Sequence, residues 1–203
     1  MGRWSIKRAV SDDRNLAMEA IEALTSRRSP AQFTDPAPDE ATLAAILRAA
    51  MRAPDHGKLK PWRFLVLRGD ARKRLGDVMA EAMKRREPEA PPNMIERERE
   101  KPLRAPLIVV LAAALKEGHK IPVVEQLLAA GAAAQNVMLA AHALGFAAAW
   151  KTGASAYDNF VKEALELAPS DAIVGFLYLG TAAAAPMALP PTELANFVRA
   201  WPA

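Results

Sequence analysis

Two short stretches carry enough cation and hydroxyl chemistry to hold an anionic ligand. The first is Arg27-Arg28-Ser29. Two guanidinium groups beside a hydroxyl suit a phosphate dianion, because arginine binds phosphate oxygens bidentately and serine adds a compact donor. The same arginines could simply compensate the negative end of a helix dipole, worth roughly 0.3–1 kcal/mol, and spacing alone leaves both readings open. The second stretch is Met51 to Phe64, where Asp55, His56, Lys58 and Lys60 stand around Gly57 between Pro54 and Pro61. A cationic loop held between rigid elements can grip an anion, and it can equally be a solvated surface loop. Other chemistries find little support. There is no cysteine, so thiolate nucleophiles, disulfides and Cys-based metal sites are absent together. His56, His119 and His142 lie far apart and show no H-E-x-x-H spacing, so no metal is expected. Neither a G-x-G-x-x-G nor a G-x-x-x-x-G-K-[ST] run is present, which removes the usual Rossmann and P-loop phosphate signatures.

The elements that must position these residues follow from apolar periodicity. A short helix, Ala17 to Ser26, delivers Arg27-Arg28-Ser29, with Met18, Ile21, Ala23 and Leu24 as its inner set. Asp39 is a good N-cap for a second helix reaching about Arg52, with Leu43, Ile46, Leu47 and Ala50 inward. Trp62 to Leu67 reads as a strand, and Ala71 to Arg86 as a helix burying Leu75, Val78, Met79 and Ala82. Residues 87–101 are rich in proline and alternating charge and read as a mobile lid or connector with at most one helical turn. Leu107 to Leu111 is a buried strand. Val123 to Leu144 is the longest helix, closed by Gly145. Its length invites a membrane reading, but Glu125, Gln126, Gln135, Asn136 and His142 would each need a partner in lipid. A central helix of a soluble core, with alanines and Gly131 allowing close approach across a dimer interface, is the expectation. Phe146 to Trp150 and Ile173 to Gly180 are strands, with a helix from Tyr157 to Leu167 between them.

The 203 residues are 51% hydrophobic, enough for one globular domain. A balance of 27 basic against 23 acidic side chains is too even to argue for nucleic acid. The N-terminal residues lack an apolar secretory run, and a cytoplasmic location is expected. Helices and strands alternate irregularly, so the fold class is α+β, a small sheet between helices.

Taken together, Arg27-Arg28-Ser29, Met51 to His56 with Lys60-Pro61-Trp62-Arg63-Phe64, Gly118 to Pro122, and Gly145-Phe146 through Trp150-Lys151-Thr152-Gly153 resemble the FMN-dependent nitroreductase family, in its compact NAD(P)H nitroreductase branch. Val174 to Gly180 also looks like that family's last core strand. The resemblance covers about 17–181, leaving 1–16 as an N-terminal arm and 182–203 as a C-terminal arm over a dimer partner. It implies a small mixed sheet flanked by helices in an interlocked homodimer, with two FMN sites at the subunit interface. Carried over, Arg27, Arg28 and Ser29 would hold the phosphate and ribityl end. Arg52 and His56 would reach the flavin from the other subunit. Trp150, Lys151 and Thr152 would line the isoalloxazine, largely through backbone groups. NAD(P)H would reduce the flavin and a small-molecule acceptor, a nitroaromatic or a quinone, would reoxidise it in ping-pong order. No side-chain catalyst is required, because the flavin carries the chemistry.

Three departures stand out. Lys60 replaces the glutamine many relatives carry, Lys151 replaces an arginine of close relatives, and Thr181 to Phe197 holds no basic residue, so Arg199 is the first candidate for a late phosphate ligand. Rival readings are the same fold used for dehalogenation or enal reduction, and a flavin-free dimeric binding protein.

Overall fold

A computed structural model describes residues 18–185, 190 and 192–202. The expected N-terminal arm, and the first expected helical residue Ala17, lie outside the described residues. The elements in order are α1 (Ala20–Ser26), β1 (Phe33–Thr34), α2 (Glu40–Ala50), β2 (Trp62–Arg68), α3 (Asp70–Arg86), α4 (Pro92–Glu100), β3 (Leu107–Ala113), α5 (Val123–Ala143), β4 (Ala147–Lys151), α6 (Asn159–Ala164) and β5 (Ala172–Ala182). Among the described residues, 3-10 turns at His56–Lys58, Lys101–Arg104 and Ala154–Tyr157 lie between these elements, and another, Leu194–Asn196, follows β5.

The local chemistry explains most boundaries. Asp39 caps α2 by accepting the Thr42 backbone N–H at 2.8 Å. Pro54 lies beyond the end of α2, and Gly145, at φ 81°, follows the last turn of α5. Asp158 caps α6 through the Phe160 N–H at 2.9 Å, so the helix expected from Tyr157 is a 3-10 turn followed by six α residues.

The sheet runs β1-β5-β3-β2, and β4 also pairs with β5. Within one chain every described pairing is antiparallel, which corrects the expected mixed sheet. The connections give the reason. Two helices, α3 and α4, separate β2 from β3, and a helix pair returns the chain antiparallel to where it left. A single helix, α5, separates β3 from β4, so those two strands run parallel to each other with β5 between them. A β-bulge in β5 opposite Leu111 and Ala112 interrupts the ladder around Val174.

The sheet divides the core in two. On one face, Leu43, Ile46 and Ala50 of α2 and Ala133, Ala134, Val137 and Ala141 of α5 pack on Leu107, Val109, Leu111, Leu177 and Leu179. On the other, Leu75, Met79 and Ala82 of α3 pack on Ile108, Val110, Phe176 and Tyr178. The inward residues expected for α2 and α3 are therefore at or against the core. Those of α1 are not. Only Ala23 is buried, while Ile21 and Leu24 are 72% and 52% exposed, because this helix meets little within its own chain except α5.

The segment 87–101 is also corrected. It is a nine-residue helix, with Pro92 at its first turn where a missing N–H costs nothing. It docks so closely on α3 that a Cβ at Gly76 would lie 2.2 Å from the Arg99 carbonyl oxygen, and Arg99 pairs with Asp77 at 2.9 Å. The sequence hid this because the helix is polar on most sides and buries chiefly one charged residue, Glu98.

Candidate flavin site

Helix α5 is the axis of the site. By length and hydropathy it could cross a membrane. Four of its polar groups, Glu125, Gln126, Asn136 and His142, are instead bonded inside the chain. Gln126 is fully buried and accepts the Lys116 N–H at 2.9 Å while donating to the Lys116 and Ile121 carbonyls at 3.1 and 2.9 Å. Asn136 donates to the Ala49 carbonyl at 3.2 Å. At its C-terminal end, Ser26 Oγ donates to the Glu22 carbonyl at 2.6 Å, so the 2.8 Å contact with His142 is a bond from His142 Nε2–H. His142 is thus a half-buried, satisfied residue fixing α1 to α5. At the N-terminal end, His56 Nδ1 donates to Glu125 Oε2 at 2.7 Å. His119 is structural in its loop, its Nδ1 accepting the Ile121 N–H at 3.0 Å.

The expected site residues fall into three groups. Arg27, Arg28 and Ser29 follow α1. Arg27 Nη1 donates to Ser29 Oγ at 3.0 Å, and Arg28 Nη1 donates to the Thr25 and Arg27 carbonyls, both at 2.9 Å. The helix-capping reading of Arg28 therefore holds, and the same bonds fix its guanidinium in place. Arg52 and His56 form the second group, exposed beyond the end of α2. Asp55 organises that loop, its carboxylate accepting the Leu59 and Lys60 N–H groups at 3.2 and 2.7 Å.

Trp150, Lys151 and Thr152 form the third group, and strand alternation splits it. The Trp150 indole turns to the α5 face, where Nε1 donates to the Val174 carbonyl at 3.0 Å and the ring lies over Gly175. That bond satisfies a carbonyl at the bulge in β5. Lys151 points the other way, into a cavity of about 280 Å³ on the α3 side of the sheet.

This cavity joins Ala31, two residues beyond Ser29, to Lys151, Thr152 and Gly153. Phe33, Met79, Phe176 and Tyr178 give it apolar walls, and Glu98, Lys101 and Arg104 give it charge. Gly153 has φ 73°, and a Cβ there would meet nothing, so one side of this turn is open. Burial pushes the Tyr178 phenol up to about 12, and Arg104 opposes that shift. The sequence reading missed Glu98, Lys101, Arg104, Met79 and Tyr178. Pro91-Pro92 before a run of regularly spaced charges was the available sign of a helix start.

Arg27 and Arg28 do not line this cavity, but they stand within four residues of Ala31 in its wall; guanidiniums, aromatic and apolar walls and an open backbone turn are the kinds of group that suit a flavin nucleotide. Comparison with known proteins decides the family. The model of the Nitroreductase family matches residues 24–181. The chain belongs to the nitroreductase family. "Putative NAD(P)H nitroreductase YdjA" of Escherichia coli K12 is 42% identical over 164 residues, 81% of this chain and 88% of that protein. A Haemophilus influenzae protein also named for NAD(P)H nitroreductase is 33% identical over 165 residues, 81% and 89% of the two chains. Among solved structures, a nitroreductase-like protein of Bacillus cereus superposes with a TM-score of 0.78 over 98% of this chain and all of the other at 24% identity, a likeness of fold. An FMN complex from Desulfovibrio desulfuricans gives 0.69 at 26% identity, over 90% of this nitroreductase-family chain and 96% of its own.

Proposed function

We propose that the protein is an FMN-dependent NAD(P)H oxidoreductase that works as a homodimer. When bound, FMN would accept hydride from NAD(P)H and return two electrons to a nitroaromatic or quinone. Arg27, Arg28 and Ser29 bind its phosphate and ribityl end, and Lys151 to Gly153 orient the ring edge with backbone N–H groups. The phenol of Tyr178, neutral at physiological pH, is a donor in the same cavity. The described walls exclude water from one side of the ring.

One observation carries the dimer. His56 is tied to Glu125 and Ser26 to His142, at opposite ends of α5. Seventeen residues at 1.5 Å per residue separate those ends by about 25 Å. One chain therefore does not bring the Arg27–Ser29 segment and His56 onto one FMN. A second copy with its α5 antiparallel to the first does so twice, once at each end. The face available for that pairing carries Val124, Leu128, Gly131 and Gln135, with Ile21 and Leu24 of α1 beside it, and all four of the larger apolar residues are exposed in the single chain. The outer edge of β2 has no strand partner among the described residues. The C-terminal segment exposes Leu194, Phe197, Val198 and Trp201. We read it as an arm over the partner.

NAD(P)H and acceptor occupy the same face in turn, so initial-rate plots should be parallel lines. No nucleic acid or membrane enters this reading, and the cytoplasm is the proposed location. The test is colour and retention. The purified protein should be yellow and release FMN on denaturation. Arg28→Ala should weaken FMN binding by about 2–5 kcal/mol, measured by flavin fluorescence, because it removes one of the two guanidiniums proposed to pair with the phosphate. Loss of the helix cap alone would leave FMN affinity intact and cost at most about 1 kcal/mol of stability.

A further inference from the structure

Glu98 is the buried residue of α4, and it lines the cavity beside Lys151–Gly153. A buried carboxylate is costly unless its oxygens are bonded, and here both are. Oε1 accepts from the buried Ser155 hydroxyl at 3.0 Å, and Oε2 pairs with Lys101. The Lys101 pair is local to the end of α4. The Ser155 bond is not, because it spans 57 residues. Ser155 belongs to the 3-10 turn Ala154–Tyr157, which opens directly after Gly153. The Ala156 N–H closes that turn on the Gly153 carbonyl at 3.1 Å. The carboxylate of Glu98 therefore ties α4 to the chain as it leaves Lys151–Gly153. Helix α4 is a firm anchor, since its Arg99 carbonyl lies so close to Gly76 of α3 that no Cβ fits between them. On the other side of the turn, the Trp150 indole holds the Val174 carbonyl at 3.0 Å. A Cβ at Gly153 would meet nothing, so packing does not fix the turn between these two ties.

We propose that Glu98 is a positioning residue for the flavin: through Ser155 it holds the Lys151–Gly153 turn where its backbone N–H groups meet the ring edge. The proposal rests on the flavin-oxidoreductase reading and adds a residue that acts on the cofactor through another. Two other roles for Glu98 give different results. A role of charge alone, which also helps to raise the Tyr178 phenol, needs the carboxylate and not the Ser155 hydroxyl. A role in stability alone changes melting and leaves the flavin as it was.

Three variants separate these roles. Ser155→Ala removes the donor and keeps the charge. Glu98→Gln keeps an acceptor oxygen for Ser155 and removes the charge. Glu98→Ala removes both. Ser155→Ala and Glu98→Ala should each weaken FMN binding about three- to tenfold, the size of one hydrogen bond, and together no more than the larger single change. Glu98→Gln should stay within about twofold of the native protein. The ratio of affinities for oxidised and reduced FMN, read from the midpoint potential, should change about threefold in Ser155→Ala, which is about 15 mV for two electrons. In the flavin-free protein, amide exchange at 152–156 should quicken about tenfold in Ser155→Ala. That variant loses a single oxygen atom, and its melting curve reports whether it folds. A folded Ser155→Ala with native FMN affinity and potential overturns the proposal, as does unchanged exchange at 152–156. Glu98→Gln matching Glu98→Ala overturns it in favour of charge. A colourless native protein is the separate failure of the flavin reading, and the exchange measurement needs no flavin.

Discussion

Replacing Gly175 by alanine tests how the fold places the site. An added Cβ would lie 2.1 Å from Trp150 Nε1 and 2.4 Å from Cδ1, with the Lys151 carbonyl oxygen at 3.2 Å. Real contacts of that kind do not fall below 3.0 Å, so the indole must shift. It cannot swing freely, because it is wedged between β5 and α5, with Gly131 close to its far edge. Overpacking of this kind costs about 1–3 kcal/mol, and loss of the bond to the Val174 carbonyl adds about 1 kcal/mol. A total of about 2–4 kcal/mol should lower the melting temperature of the flavin-free protein by roughly 5–15 °C for a chain of this size. Flavin-free protein is needed because bound FMN would add its own stabilisation. The same shift drags Lys151, so FMN affinity should fall as well. Trp150→Phe removes the donor but makes room, so Gly175→Ala with Trp150→Phe should destabilise less than the sum of the single changes. Gly175→Ala melting within 1 °C of the native protein with unchanged FMN affinity would refute the claim that Trp150 sets the position of the β4 end.

Other expectations follow from single contacts. Gln126→Leu leaves the Lys116 N–H and two carbonyls without their partner and should cost about 2–4 kcal/mol in urea unfolding, with disorder centred on 116–121. Leu128→Asp should leave the single chain folded, because Leu128 is 67% exposed there, yet sediment as monomer and fail to retain FMN. A stable yellow dimer of that variant would exclude α5 as the seam. Tyr178 is raised to about 12 by burial, so folding favours its neutral form. The stability this provides is complete below pH 10 and is lost as pH rises from 10 towards 12. Tyr178→Phe should flatten that part of the stability profile, and the slow phenolate absorbance of the native protein should follow unfolding. Asp39 has its carboxyl held below the ordinary value chiefly by the Thr42 N–H, so Asp39→Ala should lower stability near neutrality and converge with the native protein as pH falls below about 4.

Legibility in the sequence tracked how each element is stabilised. Helices α2, α3 and α5 and strands β2, β3 and β5 bury periodic apolar residues, and their pattern was readable to within a few positions. Helix α4 was not, because its stability comes from the close approach at Gly76 and from the Glu98, Ser155 and Lys101 cluster, contacts between residues far apart in the chain. The two-residue strand β1 exists only through pairing with Thr181 and Ala182. The inner face assigned to α1 failed for a different reason. Its apolar residues were read as an inner set, but Ile21 and Leu24 are exposed because little of the chain other than α5 packs against this helix. The candidate site residues, including the assignment of Arg52 and His56 to the other subunit, came from the resemblance, whereas the ties of Ser26 and His56 to opposite ends of α5 could not be read from spacing.

That division also explains how β4 serves two purposes. A strand sends alternate side chains to opposite faces. Ala148 and Trp150 face α5, whose opposite side is the proposed seam, while Ala149 faces the α3 side of the core and Lys151 the cavity on that side. A displacement of α5 against the sheet therefore reaches the cavity through one peptide unit, between Trp150 and Lys151. The bulge at Val174 fixes that unit, since the carbonyl it exposes is the one the indole holds. Substitutions at the seam should consequently alter flavin affinity even when the subunits stay together. Gly131→Ala is the mild case, because its Cβ would meet only the Trp150 ring edge at 3.8 Å within the chain. Loss of FMN together with weaker subunit association points to the partner side of α5, loss with unchanged association points to the Trp150 ring, and an unchanged affinity in a dimer of unchanged strength would show that the two helices do not approach closely at Gly131.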